Sequence, residues 1–287
     1  MTEIYRGATA LITGGASGIG AALARGLAAR GAFVAIADRQ IEAARSLAAD
    51  LARQGAGAAA YELDVRDPAA THALIDQLWV SRGGIDLAFA NAGTGVGGEA
   101  LEYTDEDWRY IVDVNLMGVI HVFHALYPRM AARRAGHLVA TASMAGLIPS
   151  PGSTVYGATK HGVVGLCRSL RIEAREHGVR VTALCPGVVR TAILVDAGVY
   201  GRVTRKIPPD AQVAEFDKLR PMDPDRFADV VLARLPKNPA VIVVPDWWKI
   251  VWWLNRLSPR LGDALTSRTY RRIREKWAVA EVAPNQG

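Results

Sequence analysis

The feature that most restricts the fold is a repeating exchange of short apolar runs and longer helical patterns, opened by a glycine-rich turn after the first run. Ala8–Ile12 reads as a strand, Gly18 to about Arg30 as a helix closed by Gly31, and Phe33–Ala37 as a second strand ending at Asp38. The rhythm repeats through helix Ile41–Arg53 and strand Ala58–Leu63, then helix Pro68–Val80 and strand Asp86–Ala90. A long helix from about Asp105 to Arg133 leads to strand His137–Thr141, and a helix near Val155–Glu176 leads to strand Arg180–Leu184. An irregular segment from Pro186 to Pro221, a helix near Pro224–Arg234 and a strand Ala240–Val244 complete the pattern. Strands alternating with helices predict βαβ units, hence an α/β protein with a doubly wound parallel sheet of seven strands and helices on both faces. No internal repeat or low-complexity linker divides residues 1–245, which read as one domain, with 246–287 as an extension.

The turn after the first strand is Thr13-Gly14-Gly15-Ala16-Ser17-Gly18-Ile19-Gly20. Glycines let backbone approach a pyrophosphate, and the following helix start supplies free N–H groups and a positive dipole end. Asp38 follows 18 positions after Gly20, where a carboxylate can bond an adenosine ribose. A dinucleotide is expected. Asp38 would repel a 2′-phosphate and Ser17 brings no positive charge, so NAD is favoured over NADP; Arg39 is the opposing consideration, since it could grip a phosphate.

With these motifs in place the chain resembles a short-chain dehydrogenase/reductase over residues 7–245, which implies a Rossmann-type fold. The family pattern T-G-x-x-x-G-x-G falls on Thr13, Gly14, Gly18 and Gly20, with Ser17 and Ile19 between. The resemblance implies further cofactor contacts from Asp64 and Val65, from Asn91-Ala92-Gly93, and from Pro186-Gly187, Val189 and Thr191.

Tyr156 and Lys160 are four apart, hence on one face of a helix. Moving a hydride between alcohol and ketone needs an acid–base group at the substrate oxygen, and a nearby ammonium and a cationic nicotinamide favour the phenolate of a tyrosine. Ser143, 13 residues upstream, can donate to the same oxygen. Asn115 lies within the long preceding helix. The resemblance implies that Asn115, Ser143, Tyr156 and Lys160 form a catalytic tetrad, with Lys160 also bonding the nicotinamide ribose and Asn115 holding a relay water. An NAD-dependent oxidoreductase acting on a hydrophobic secondary alcohol or its ketone is the leading reading. A catalytically silent dinucleotide sensor, or an epimerase or dehydratase on a related fold, are the alternatives.

By resemblance, residues 188–221 would cover the substrate. Val188, Ile193, Leu194, Val195, Val199 and Tyr200, with Ile148, suggest an apolar pocket. The glycines between Asn91 and Gly98 read as a flexible loop over the cofactor. His121 and His124, three apart, lack the further ligands a metal site requires, and His161 reads as packing or surface. Cys167 and Cys185 read as reduced core thiols.

Charge is informative by location. The chain has 34 Lys+Arg against 28 Asp+Glu, a net +6. Residues 246–287 hold eight basic and four acidic residues, so the rest is nearly neutral. The same stretch packs Trp247, Trp248, Trp252 and Trp253 into seven positions. Packing within the protein, a dimer contact or a flap over the pocket is expected first, and peripheral contact with an anionic membrane second; nucleic acid is not expected. No run of 18 apolar residues and no leader pattern is present, which reads as a cytoplasmic protein. By resemblance it would be a homodimer or homotetramer, joined through the helices carrying Asn115 and Tyr156.

Overall fold

A computed structural model describes residues 4–194, 201–203, 214 and 217–282. Seven parallel strands form one sheet in the order β3-β2-β1-β4-β6-β7-β9. They are β1 (Thr9–Thr13), β2 (Phe33–Asp38), β3 (Ala58–Glu62), β4 (Leu87–Ala90), β6 (His137–Thr141), β7 (Arg180–Pro186) and β9 (Val241–Val244). A two-stranded parallel pair joins β5 (Gly95–Gly97) to β8 (Gly201–Val203). The helices are α1 (Gly18–Ala28), α2 (Ile41–Arg53), α3 (Pro68–Arg82), α4 (Asp105–Val112), α5 (Gly118–Ala132), α6 (Thr154–Glu176), α7 (Pro224–Arg234), α8 (Trp248–Leu257) and α9 (Pro259–Val282).

β1, β4 and β6 are buried along their whole length, as continuous apolar runs covered on both faces must be. One face packs Leu23 and Leu27 of α1 with Phe227 and Val231 of α7. The other packs Ile75 and Leu78 of α3, Val122 and Leu126 of α5 and Val163 of α6. The fold is therefore Rossmann-type and doubly wound. Strand order reverses between β1 and β4, and the crevice beyond the C-terminal ends of those strands is where such sheets bind ligands.

Local chemistry places the helices. Asp67 caps α3 by accepting from Ala70 N at 3.0 Å, with Pro68 in the first turn and Gly83 at φ 72° after the last. Asp223 caps α7 by accepting from the amides of Asp225 and Arg226. In α1, by contrast, Ser17 makes no side-chain cap bond, which leaves the first amides of that helix without a cap from it.

Three expectations are refined. The helix anticipated over 105–133 runs from Asp105 to Ala132 but widens over Asp113–Met117 into a π turn. By length and composition alone this continuous helix is long and apolar enough to cross a membrane, a test that a buried core helix also passes; its apolar side chains, including Val119, Phe123 and Met130, lie against the sheet. Finally, Gly95–Gly97 is not a plain loop but a short strand that pairs with β8, which places Gly201–Val203 beside the region following β4. The ends of that segment are joined where Met222 N donates to Val188 O and Arg190 N donates to Met222 O, each at 2.9 Å. Val195, Val199 and Tyr200 lie outside the described residues.

Candidate active site

The glycine turn and the end of β4 are locked together by side chains. Thr13 Oγ1 accepts from the amides of Asn91 (3.1 Å) and Ala92 (3.2 Å). Asn91 Nδ2 donates to the carbonyls of Thr13 and Gly14, and its Oδ1 accepts from Thr141 Oγ1 at 2.9 Å. Two glycines are required by close approach: a Cβ on Gly14 (φ +61°) would lie 2.7 Å from Ala92 Cα, and one on Gly20 would collide with the Gly14 carbonyl oxygen. Gly18 faces Thr191, whose Cγ2 would be 3.1 Å from a Cβ there, so Thr191 lies against the glycine turn. This cradle of bare backbone beside the uncapped start of α1 suits a pyrophosphate.

Asp38 is buried at the end of β2. Its carboxylate accepts from Ala16 N and Gln40 N, both at 3.0 Å, which ties it to the glycine turn. Asp64 bonds Arg66 across several contacts, and that guanidinium holds its carboxyl below the usual range. Val65 is buried, with its carbonyl accepting from His121 Nδ1 at 2.9 Å. His124 packs edge-on against His72, and His161 bonds the Gly157 carbonyl.

The four expected catalytic residues come from three elements and converge beyond β6. The π turn carries Asn115 into the interior, where it is fully buried. Such turns recur at functional sites because they aim one side chain out of helical register. Asn115 Oδ1 accepts from Thr94 N at 2.8 Å, and its Nδ2 donates to Thr94 O at 2.9 Å and to Thr159 Oγ1 at 3.4 Å. A Cβ on Gly93 would be 3.3 Å from Asn115 Oδ1 and 3.4 Å from Lys160 Nζ, so the Asn-Ala-Gly turn touches both. Ser143, just past β6, accepts from Ala145 N at 3.1 Å, and its hydroxyl is close enough to the Tyr156 phenol to favour the phenolate. Lys160 Nζ is buried, donates to Thr141 O at 2.8 Å and lies 5.5 Å from the Tyr156 ring centre.

Burial governs the electrostatics at Tyr156. Burial raises its pKa above the ordinary phenol value, and the Ser143 hydroxyl lowers it only in part. Burial also pulls the Lys160 ammonium down to about 8. Within the chain itself, apart from any cationic nicotinamide, desolvation of the phenolate is the dominant influence on Tyr156. Cys185 lies in the same locality: burial pushes its thiol up to about 12, while the Ser143 backbone N–H and Lys160 act in the opposite direction.

Residues 8–198 match the family model described as short chain dehydrogenase. The chain belongs to the short-chain dehydrogenase family. It is 38% identical over 224 residues to oxidoreductase UcpA of Escherichia coli (strain K12), covering 78% of this chain and 83% of that one. It is 33% identical over 236 residues to cyclohexanol dehydrogenase of Acinetobacter sp. (strain SE19), covering 80% and 88%. A solved short chain dehydrogenase/reductase from Burkholderia phymatum, in complex with NAD, superposes with a TM-score of 0.80 at 30% identity over 90% of this chain and 95% of that one.

In this short-chain dehydrogenase the sequence reading missed two contributors. Thr141 serves twice, its carbonyl receiving Lys160 and its hydroxyl holding Asn91; a threonine ending a strand carries no signal of either role. Trp248 packs against Gly187 beside Pro186 at the end of β7. The tryptophan cluster was conspicuous, but no local pattern tells which of its members turns inward. Val188 and Leu194 are half-buried and Ile193 is exposed, while Ile148 packs on the core cluster containing Met144 and Cys185.

Proposed function

We propose that the protein interconverts a hydrophobic secondary alcohol and its ketone with NAD(H), using Tyr156 as acid and base. The observation that carries this is the convergence of Asn115, Ser143, Tyr156 and Lys160 on the region bounded by the glycine turn and the Asn91–Gly93 corner. The resemblance to NAD-bound relatives supports a nicotinamide dinucleotide, which accepts the hydride when bound. Gly14, Gly18, Gly20 and the start of α1 would hold its pyrophosphate, Asp38 and Asp64 the adenosine end, and Pro186, Gly187, Val189 and Thr191 the nicotinamide end. Asp38 favours NAD, since its carboxylate opposes a 2′-phosphate.

In alcohol oxidation the Tyr156 phenolate takes the hydroxyl proton while Ser143 Oγ donates to the substrate oxygen. In ketone reduction the same phenol returns the proton. Lys160, largely cationic below pH 8, sits at the inner end of this arrangement and can pass a proton between Tyr156 and the Asn115 locality. The burial that raises the Tyr156 pKa makes it a competent acid for reduction. Oxidation then needs a positive charge brought close to the phenol, a role for the oxidised cofactor.

Val188, Ile193, Leu194 and Ile148 would line the substrate side, and a 33% identical relative is named as a cyclohexanol dehydrogenase. Assembly into a homodimer or homotetramer through the helices that carry Asn115 and Tyr156 is part of this proposal.

The test is to follow formation of reduced cofactor across a panel of hydrophobic secondary alcohols with NAD and with NADP. Turnover with NAD in the wild type, and a fall of about 10²–10⁴-fold in Tyr156→Phe with cofactor binding retained, is expected. Dinucleotide binding without turnover would favour the sensor, and full activity in Tyr156→Phe would dismiss the assignment.

A further inference from the structure

Helix α8 has two apolar sides, and the protein's own core uses one. Trp248 and Trp252 pack on the cluster containing Met144 and Cys185. Trp247, Ile250, Trp253, Leu254 and Leu257 are 40%, 64%, 53%, 45% and 79% exposed. At about 100° per residue Ile250, Trp253, Leu254 and Leu257 share the side of the helix opposite Trp248 and Trp252, and Trp247, just before the helix, stacks on Trp248 with ring centres 4.3 Å apart while staying exposed. The stripe continues on α9 with exposed Leu261 and Leu265. An ordinary surface helix turns polar residues outward.

The surroundings of the stripe are cationic. Lys249 and Arg256 border it on α8, and Arg260, Arg268, Arg271 and Arg272 are exposed on α9. From Trp247 to Arg272 the only acidic residue is Asp263. Lys249 pairs with Asp246, but the five arginines have no ion-pair partner among the described residues. The surface is also firmly held. Asp246 bridges Arg234 and Lys249, Gly262 lets α9 cross closely over Asn255, and Arg274 and Tyr270 of α9 bond the shielded carboxylate of Glu99 at 2.6 and 3.2 Å.

We infer that the outer face of α8 and the first turns of α9 form a docking surface for an anionic phospholipid bilayer, lying in its interface. Indole rings at the depth of the headgroups, leucines below them and arginines level with the phosphates match that environment in both polarity and charge. A second copy of this chain fits less well, because it would bring a like-charged arginine cluster against its own image. At ten residues α8 is about 15 Å long, half the hydrocarbon thickness, so it lies along the bilayer and does not span it. Through Trp248 the inner side of the same helix touches Gly187, which immediately precedes the substrate segment. Docking therefore sets Gly187, where that segment begins, within about one helix diameter of the lipid. The inference goes beyond the proposed chemistry and does not depend on it.

The test is sedimentation of the full chain with phosphatidylcholine vesicles, alone or mixed with phosphatidylglycerol, at low and high salt. Binding to the mixed vesicles that weakens in salt and on pure phosphatidylcholine is expected. The pair Arg256→Ala and Arg260→Ala should weaken binding to mixed vesicles by about tenfold or more. The pair Trp253→Ser and Leu257→Ser should weaken binding to both kinds, while Val80→Ser, an exposed apolar residue on α3, should change nothing. Melting temperatures confirm that the variants fold, and light scattering reports their mass. Failure of the wild type to sediment with mixed vesicles would overturn the inference. So would binding indifferent to both pairs, or a Trp253→Ser, Leu257→Ser variant that changes mass but not vesicle binding, which would assign the stripe to a second copy.

Discussion

Gly187 lies so close beneath the indole of Trp248 that a Cβ at Gly187 would overlap the ring at Nε1 and Cδ1. The strand end expected to touch cofactor and the C-terminal extension are thus packed directly on each other. Gly187→Ala should force the ring outward and cost about 1–3 kcal/mol, lowering the melting temperature by several degrees. It should also speed protease cleavage beyond Pro245. Gly165→Ala is the contrast: nothing lies within 4 Å of its Cβ position in α6, so that change should stabilise by up to about 1 kcal/mol. Equal melting temperatures for the two variants would contradict the contact.

Lys160 is held against the Thr141 carbonyl at a cost in solvation. Its folded pKa of about 8 is below the ordinary 10.5, so between those values the unfolded chain binds the extra proton and stability rises with pH. Below pH 8 the penalty is fully present. Lys160→Met should therefore be at least as stable as wild type at pH 7, while activity falls by orders of magnitude. Its advantage should shrink by up to about 3 kcal/mol as pH approaches 10. Denaturant unfolding at pH 7 and pH 10 measures this, and a variant that loses stability equally at both would refute it.

Asp38 is the specificity lever in the cofactor proposal. Asp38→Ser should lower kcat/KM for NAD by roughly tenfold or more and improve the ratio of NADP to NAD, because it removes both the ribose acceptor and the charge opposing a phosphate. Since Asp38 also accepts from Ala16 N and Gln40 N, a rise in KM for both cofactors should accompany the change in ratio. Steady-state kinetics with each dinucleotide decides; an unchanged ratio would count against the role of Asp38.

His137 opens β6 in a fully buried position. The Thr182 hydroxyl donates to Pro239 O at 2.8 Å, so it accepts from His137 Nε2–H at 2.9 Å, which fixes the neutral tautomer. Burial, with Arg180 and Arg171 nearby, pulls its pKa down to about 3. The unfolded chain takes up a proton near pH 6.5 that the folded chain refuses, so stability is full above that value and falls as the pH drops toward 3. His137→Gln should flatten the decline by up to about 1.4 kcal/mol per pH unit between those limits, read from melting temperatures at pH 7, 5 and 4.

Local periodicity and spacing made much of this molecule legible in advance. Helix Ile41–Arg53 has the anticipated bounds, and the strands differ by only a residue or two, because apolar runs bounded by glycine, proline and aspartate state their own limits. Tyr156 and Lys160 could be placed on one helix face from their spacing alone, and the glycine turn from its position between strand and helix. The π turn that aims Asn115 inward could not be read, since a register change leaves no mark in a helical pattern.

By itself, then, the sequence determined the parallel sheet, the order of its elements and the residue types available for hydride-transfer chemistry, all of which follow from short-range pattern. Tertiary structure alone decided that burial raises the Tyr156 pKa, that Lys160 rests on Thr141, and that Trp248 and Trp252 turn inward while Trp247 and Trp253 stay exposed. Each of these depends on what the chain brings together from distant positions, and solvation and packing are properties of that assembled environment.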